Sequence, residues 1–275
     1  MTNALPLNVD TTAAIVAVAR LKASLEPDPL VFDPFVLQLL GKEGLALTRT
    51  FYKTGSLAES HLNQYMAFRS RFGDETALTP GIQQVVILAS GLDTRAWRLP
   101  FGPEVTVYEV DRSDLFRAKR QRLPATLCKH VCVQADLTKD PWDELLLENG
   151  LDPLKRTAWL LEGLIMYLEP ADIQLVFKSI DRLSQTNGSR LFFDQVGDVH
   201  PGCQFKPLFT SNSFLEQLPQ DVACLKGWEI QEVTCTEPGF ERFGKLLPAH
   251  NDDAGKPILP TFLVQVAKRN KIELQ

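Results

Sequence analysis

The sequence predicts an α/β protein built on a doubly wound sheet of seven strands, preceded by a helical segment. From residue 84 onward, short apolar runs rich in β-branched residues alternate with longer amphipathic stretches, which is typical of strands joined by helices in a parallel sheet. The first run ends in a small-residue turn, and the second ends in acidic residues. In Rossmann-like sheets such strand ends meet at one edge and form a nucleotide pocket.

The first predicted strand, 85–89, is followed by a turn at Gly91. Because glycine lacks a Cβ, the backbone can turn sharply there and a ligand can approach it closely. Asp93 or Thr94 can then cap a short helix. The alternative is an ordinary strand-to-helix turn, since a single glycine is a weaker signal than the G-x-G-x-x-G pattern, which this sequence lacks.

The second predicted strand, 105–110, contains Glu109 and leads directly into Asp111. A carboxylate at such a strand end, about 20 residues after the glycine turn, can accept hydrogen bonds from both hydroxyls of a ribose. We predict this role for Asp111, with Glu109 as a second choice that more simply supports a loop. The alternative is a pair of solvated acids at the end of a strand.

The remaining elements continue this alternation. Helices are predicted before the first strand over 13–25, from Asp33 to a stop at Gly41 or Gly44, and over 57–72. The other predicted strands are 131–135, 157–162, 189–195, 227–235 and 261–268, and the other predicted helices are 94–98, 113–123, 141–149, 170–186 and 211–218. Gly188 is predicted to cap the helix 170–186. Segments 197–213 and 236–260 are rich in Gly, Pro and polar residues and are predicted to be long connections.

The composition and charge disfavour several classes of partner. A net charge of −5 without a long Lys/Arg run disfavours nucleic acid, and no apolar run is long enough to span a membrane. Cys128 and Cys132 have a spacing that resembles a metal site, but no second ligand pair stands at a useful distance, so no metal is predicted. The five scattered cysteines are predicted to be reduced and buried, as in a cytoplasmic protein.

Residues 86–99, Val-Ile-Leu-Ala-Ser-Gly-Leu-Asp-Thr-Arg-Ala-Trp-Arg-Leu, resemble the glycine motif of the leucine carboxyl methyltransferase family. This family is a branch of the S-adenosylmethionine-dependent methyltransferases. The likeness continues in order through most of residues 10–195, in the segments 33–35, 65–71, 108–111, 135–137 and 159–168. The chain length and the Arg-Ser-Arg-Phe-Gly-Asp segment look most like bacterial polyketide-tailoring members, of the tetracenomycin O-methyltransferase type.

The resemblance implies a binding site for S-adenosyl-L-methionine as cofactor. In such a site Gly91 allows the close backbone approach and Asp111 binds the ribose. Asp136 and Leu137, after the third strand, are placed to accept from the adenine amino group and to donate a backbone amide to a ring nitrogen. The alternative for Asp136 is a cap of the following helix.

The resemblance also implies partners for the methionine part of the cofactor. Glu162 ends the apolar fourth strand, where a carboxylate needs a cationic partner, either the ammonium or sulfonium of the cofactor or Arg69 in an internal ion pair. In the family resemblance, Arg69 aligns with the arginine that binds the cofactor carboxylate. Arginine suits this role because its planar guanidinium can bind a carboxylate through two hydrogen bonds. Arg71 is expected at the surface. Lys22 aligns with a lysine that helps hold the same carboxylate, or else is solvated.

No catalytic residue is identified with the same clarity. A carboxylate acceptor is already ionised near neutral pH and needs no base, whereas a hydroxyl acceptor needs help, usually from histidine. His200 and His61 are weak candidates, each with a surface position as the alternative. Tyr167 can border the acceptor site or be a satisfied buried tyrosine. Arg95 and Arg98 are expected to be structural.

The sequence therefore predicts a cytoplasmic O-methyltransferase that acts on a carboxylate or hydroxyl of a small molecule, with neither nucleic acid nor membrane as partner. We expect one domain over 1–275, with a helical lid in 1–80, a cofactor-binding core in 81–195, and acceptor-site insertions with the last strands in 196–275. The alternatives are a protein C-terminal carboxyl methyltransferase and, in a different class, a nicotinamide-dependent oxidoreductase. The oligomeric state does not follow from the sequence.

Overall fold

The computed structural model describes residues 11–48, 57–112, 115–197, 222–235, 241–243 and 261–269, and all structural statements below concern these residues. Seven strands form one sheet: β1 (Gln84–Leu88), β2 (Thr106–Asp111), β3 (Lys129–Gln134), β4 (Thr157–Leu161), β5 (Arg190–Val196), β6 (Trp228–Cys235) and β7 (Thr261–Lys268). The helices are α1 (Thr11–Ala23), α2 (Val36–Thr48), α3 (Leu57–Ala77), α4 (Arg95–Arg98), α5 (Leu115–Arg122), α6 (Trp142–Glu148) and α7 (Pro170–Arg182).

The strand order is β3-β2-β1-β4-β5-β7-β6, which confirms the predicted doubly wound sheet. Strands β1 to β5 are parallel, and β7 pairs antiparallel with both β5 and β6. The chain order reverses direction between β1 and β4, and a crevice opens at that point in sheets of this type. The sheet therefore brings the ends of β1, β2 and β4 to one place.

Helices cover both faces of the sheet, so β1 and β4 are buried at every position. Trp159 and Phe177 belong to the apolar cluster on one face, and Phe72 and Phe192 belong to the cluster on the other. Helix α1 packs on α2 and α3, and α3 packs on β4 and β5. The N-terminal helices are thereby attached to the centre of the sheet.

Predicted helix boundaries near three glycines have different outcomes, and other boundaries also shift, such as the end of α1 at Ala23 rather than residue 25. Gly41, with a φ of 62° and a ψ of −170°, interrupts α2 between two helical segments, in agreement with a stop predicted at this glycine, and the second segment continues to Thr48. Helix α3 continues past residue 72 to Ala77, and Gly73 lies within it, close to the side chains of Arg95 and Glu162. Helix α7 ends at Arg182, so Gly188 does not cap it; Gly188 has a φ of 87° and its amide donates to the carbonyl of Lys268.

Other predictions fall partly outside the described residues. The helix 211–218 and most of the two long connections lie there. Of the cysteines, Cys128 is buried, but Cys132 and Cys224 are partly exposed, so the expectation that all would be buried is wrong. No described helix is long and apolar enough to cross a membrane.

Candidate active site

A cavity of about 550 Å³ lies at the carboxyl ends of the parallel strands. Its floor comes from the carboxyl ends of β1, β2 and β5 and from the segments that follow β1, β2, β3 and β4, and α1 and α3 supply one wall. Six of the seven residues predicted to bind the cofactor line it: Arg69, Gly91, Asp111, Asp136, Leu137 and Glu162. A volume of this size is within the range of small-molecule sites.

The turn after β1 has an unusual backbone. Ala89 has a φ of 53° and Gly91 a φ of 47°, in the left-handed region that residues with a side chain seldom adopt. The Gly91 amide donates to Asp111 Oδ2 at 2.7 Å, so the turn is tied to the end of β2. Backbone strain of this kind concentrates at ligand sites, and both residues line the cavity.

Helix α4 begins directly after this turn. Thr94 is its N-cap residue but makes no side-chain capping bond, because its hydroxyl donates to Asp33 Oδ2 at 2.7 Å; Asp93 Oδ1 accepts from the Arg95 amide at 2.7 Å. Arg20 of α1 reaches the same region and donates to the carbonyl of Leu92 at 2.7 Å. The turn is therefore held from the helical side as well as from β2.

Asp136 shapes the turn after β3. Its Oδ1 accepts from the amide and the hydroxyl of Thr138, at 3.0 and 2.8 Å, and these bonds hold the pKa of Asp136 below its ordinary value. Helix α6 starts later and is capped at Pro141, so the alternative of Asp136 as a helix cap is wrong. Asp136 and Leu137 both face the cavity.

Arg69 lies at the bottom of the cavity between two carboxylates. Its Nη1 is 3.0 Å from Asp194 Oδ2, and its Nε is 3.5 Å from Glu162 Oε2. Asp194, fully buried on β5, also accepts from the Tyr65 hydroxyl at 3.1 Å and from the Gly163 amide at 2.5 Å. One carboxylate thus connects α3 to the segment after β4.

Glu162 belongs to a buried ionic network that continues away from the cavity. It pairs with Arg95, which also binds Asp93 and Asp74, and Asp74 binds Arg98. Burial raises the pKa of Glu162, and the nearby guanidinium groups of Arg95 and Arg69 only partly offset this effect. The internal ion pair anticipated for Glu162 therefore exists, and its main partner is Arg95. Arg95 and Arg98 are structural, as predicted.

Comparison of the amino-acid sequence with known proteins shows which family the chain belongs to. The model of the leucine carboxyl methyltransferase family matches residues 13–181. A candidate S-adenosyl-L-methionine-dependent methyltransferase of Mycobacterium sp. (strain KMS) is 36% identical over 274 residues, covering 88% of this chain and 89% of that protein. Another, of Mycobacterium ulcerans (strain Agy99), is 32% identical over 299 residues, covering 94% of each. The chain belongs to the leucine carboxyl methyltransferase family.

The crystal structure of a candidate methyltransferase from Thermobifida fusca YX has a similar fold, with a TM-score of 0.59, 18% identity, and coverage of 98% of this chain and 100% of that one. At this identity the likeness concerns the fold alone. Family membership makes the chain a methyltransferase that uses S-adenosyl-L-methionine. It also decides against the nicotinamide-dependent alternative.

The cavity of this methyltransferase fits its methyl donor. Ser90 Oγ and Arg69 Nε are buried at the cavity and have no hydrogen-bond partner among the described residues. Such buried polar atoms are costly unless water or a ligand satisfies them. The donor has hydroxyl, amine and carboxylate groups that can do so. The positive φ of Gly91 and the carboxylates of Asp111 and Asp136 supply the other contact types expected for a nucleoside.

The remaining predicted residues have mixed outcomes. Lys22 lies on α1 but does not line the cavity, whereas Arg20 of the same helix does. Arg71 is at the surface, as predicted, and pairs with Glu75 at 3.1 Å.

Tyr167 borders the cavity with 40% of its surface exposed, so the buried alternative is wrong. His200 and the side chain of His61 lie outside the described part of the chain.

Glu109 does not line the cavity. It is fully buried, pairs with Lys119 of α5, and has its Oε1 3.0 Å from His130 Nε2 of β3. Although burial opposes ionisation, Lys119 and His130 lower the pKa of Glu109. These contacts join β2 to α5 and β3, so Glu109 has a supporting role, but it supports a helix and a strand and not the loop expected from the sequence.

The sequence reasoning missed Asp194, Tyr65 and Arg20 as cavity residues. A signal existed for Asp194, since a single acid in the run Leu191-Phe-Phe-Asp194 of a buried strand requires a partner. No local signal distinguished Tyr65 or Arg20 from the other residues of amphipathic helices.

Proposed function

We propose that this methyltransferase transfers a methyl group to an oxygen atom of an apolar small molecule. The observation that supports this most directly is the composition of the cavity. The contacts expected for the donor lie at the strand ends. The lining also contains six apolar side chains, called the apolar wall below: Ile15, Val16, Leu62, Met66, Met166 and Val196.

The proposed donor arrangement follows the strand order. Asp111 binds the ribose hydroxyls, Asp136 and Leu137 bind adenine, and the turn at Gly91 passes close to the methionine part. Arg69 offers its unsatisfied Nε–H to the donor carboxylate, and Glu162 faces the ammonium. When bound, S-adenosyl-L-methionine supplies an electrophilic methyl group, and the protein contributes alignment and exclusion of water.

The apolar wall bears on the acceptor. Met66 and Met166 are flexible and can adapt to an irregular apolar ligand. An apolar small molecule gains more from this wall than the charged carboxyl terminus of a protein does. The resemblance to tetracenomycin-type enzymes supports an acceptor from secondary metabolism. The free thiols of the described cysteines, Cys128, Cys132 and Cys224, are compatible with a cytoplasmic enzyme.

Calorimetric titration with S-adenosylhomocysteine tests the donor site. We expect micromolar binding, and no binding of NAD in a parallel titration. The Asp136→Ala variant should weaken binding, whereas Asp172→Ala on α7, away from the cavity, should not. Equal affinity in all three proteins would contradict the arrangement. Methyl transfer is then measured with a panel of apolar hydroxyl and carboxylate compounds.

A further inference from the structure

Arg20 of α1 has a guanidinium nitrogen that no described residue satisfies. Its Nε donates to Asp33 Oδ2 at 3.1 Å and its Nη2 donates to the Leu92 carbonyl at 2.7 Å, but its Nη1 makes no hydrogen bond to any described residue. The side chain is buried and lines the donor cavity. Because the two bonds fix the plane of the guanidinium, Nη1 is a preorganised hydrogen-bond donor for a ligand.

Arg20 lies on the side of α1 that faces the cavity. Ala13, Val16 and Arg20 are three and four residues apart, so they share one face of the helix, and all three line the cavity. A Cβ added at Gly91 would lie 3.6 Å from the Ala13 Cβ, which places this face of α1 against the turn after β1. Lys22, two positions beyond Arg20, faces a different direction and does not line the cavity.

Two further polar atoms are unsatisfied at the same end of the cavity. Ser90 Oγ belongs to the turn that Arg20 contacts through Leu92, and Arg69 Nε lies beside Glu162, directly after β4. Both atoms are buried and have no hydrogen-bond partner among the described residues. Strands β1 and β4 are neighbours, so these atoms lie where the chain order of the sheet reverses. Two guanidinium N–H groups and one hydroxyl in this region therefore lack an acceptor within the described chain.

The carboxylates of the protein near Arg20 do not bind its Nη1. Asp33 Oδ2 accepts from Arg20 Nε and from the Thr94 hydroxyl. Asp93 pairs with Arg95, and although burial opposes ionisation, Arg95 and Arg20 lower the pKa of Asp93. The matched partner for Nη1 is therefore an anion from outside the chain. S-adenosyl-L-methionine contains one such group, a carboxylate, which only accepts hydrogen bonds.

We infer that Arg20 binds the carboxylate of the methyl donor together with Arg69, and that α1 thereby selects nucleosides that carry this carboxylate. The Ser90 hydroxyl donates to the same group from the turn. A nucleoside without the carboxylate leaves these polar atoms unsatisfied and binds more weakly. This inference rests on the proposed donor arrangement and assigns to Arg20 the role that the family resemblance implied for Lys22.

The test uses two ligands that differ in the carboxylate alone, S-adenosylhomocysteine and decarboxylated S-adenosylhomocysteine. Each is titrated by calorimetry at pH 7 into the wild type and into Arg20→Gln. We expect the wild type to prefer S-adenosylhomocysteine by at least about a hundredfold, from two charge-assisted hydrogen bonds, and the variant to lose about tenfold of that preference. Lys22→Gln, which removes the same charge from the same helix outside the cavity lining, should keep the wild-type preference.

A second variant separates ligand recognition from folding. Arg20→Gln leaves Asp33 without its cationic partner, and an unpaired buried carboxylate is strongly destabilising. The double variant Arg20→Gln/Asp33→Asn removes that charge as well. We expect it to show the same loss of preference of about tenfold as the single variant, because the lost bond to the ligand is the same.

Each other result overturns the inference. Similar affinities of the wild type for the two ligands show that no cation binds the carboxylate, and this result needs no variant. An unchanged preference in the Arg20 variants, with both ligands weakened alike, makes Arg20 a purely structural residue. A loss of preference in Lys22→Gln instead assigns the carboxylate to Lys22. Failure of the wild type to bind S-adenosylhomocysteine rejects the proposed donor arrangement itself, whereas normal binding with an unchanged preference in the Arg20 variants rejects the role of Arg20 alone.

Discussion

Asp111 and Gly91 are joined by a hydrogen bond of 2.7 Å from the glycine amide to the Asp111 carboxylate. The two residues are 20 positions apart, but they follow neighbouring parallel strands whose ends lie side by side. The bond holds two proposed donor contacts as one unit. Any change at Asp111 therefore affects the turn as well as the ribose contact.

Replacing Asp111 with alanine should weaken S-adenosylhomocysteine binding by more than about tenfold. The variant loses a charge-assisted hydrogen bond to the ligand, a contribution of ~1.5–3 kcal/mol, and also releases the Gly91 turn. Calorimetric titration measures the affinity, and circular dichroism verifies that the variant is folded. Unchanged affinity in the folded variant would exclude Asp111 from the ribose site.

Replacing Glu162 with glutamine should affect donor binding and the free energy of unfolding differently. In the wild-type network, the carboxylates of Asp74, Asp93, Glu162 and Asp194 outnumber the guanidinium groups of Arg69, Arg95 and Arg98 by one. The variant balances these charges but removes the proposed ammonium contact. We expect weaker donor binding without a loss of stability at neutral pH.

The difference in unfolding free energy between the wild type and Glu162→Gln should change with pH in one direction. Because the pKa of Glu162 is raised above 4.5, its protonated form stabilises the folded protein, and this stability is lost as the pH rises through the raised pKa. The free energy of unfolding of the wild type, measured by urea titration, should therefore fall relative to that of Glu162→Gln as the pH rises from 4.5. A constant difference across this range would show that the network does not disfavour the Glu162 charge.

Gly73→Ala should damage the same network without removing any polar group. A Cβ at residue 73 would lie 2.6 Å from Arg95 Nη2 and would also collide with Glu162 Oε1. Both side chains are held by buried ion pairs and cannot move freely. We expect a loss of about 2 kcal/mol in the free energy of unfolding, as for other overpacked sites, together with weaker donor binding. Wild-type stability in the variant would mean that α3 can shift away from β4.

His130 should make stability depend on pH in the alkaline range. Burial acts to lower its pKa, but hydrogen bonds with Cys132 and Glu109 raise it from 6.5 to about 9. The stability from this cation is therefore fully present below pH 6.5 and is lost as the pH rises through about 9. Urea unfolding of the wild type should show this decline, and His130→Gln should show a flatter profile. The same decline in both proteins would assign it to another group.

Much of the fold followed from local patterns. The β-branched runs at 85–89 and 105–110 predicted the strands to within one residue, because burial on both faces leaves a continuous apolar segment. Helix ends were predicted less well. Gly41 does interrupt α2, but Gly188 does not cap α7, because a glycine with positive φ can form a loop as readily as it ends a helix.

The sequence by itself determined the sheet, the turn at Gly91 and the acid at Asp111, since these depend on neighbours in the chain and on regular strand order. Only the tertiary structure decided which charges meet. Arg69 and Asp194 are 125 residues apart, and Arg95 and Glu162 are 67 apart, so their pairing depends on how α3 and α4 pack against the ends of β4 and β5. A local pattern contains no information on such packing, because the burial that gives an ion pair its strength arises only when distant elements come together.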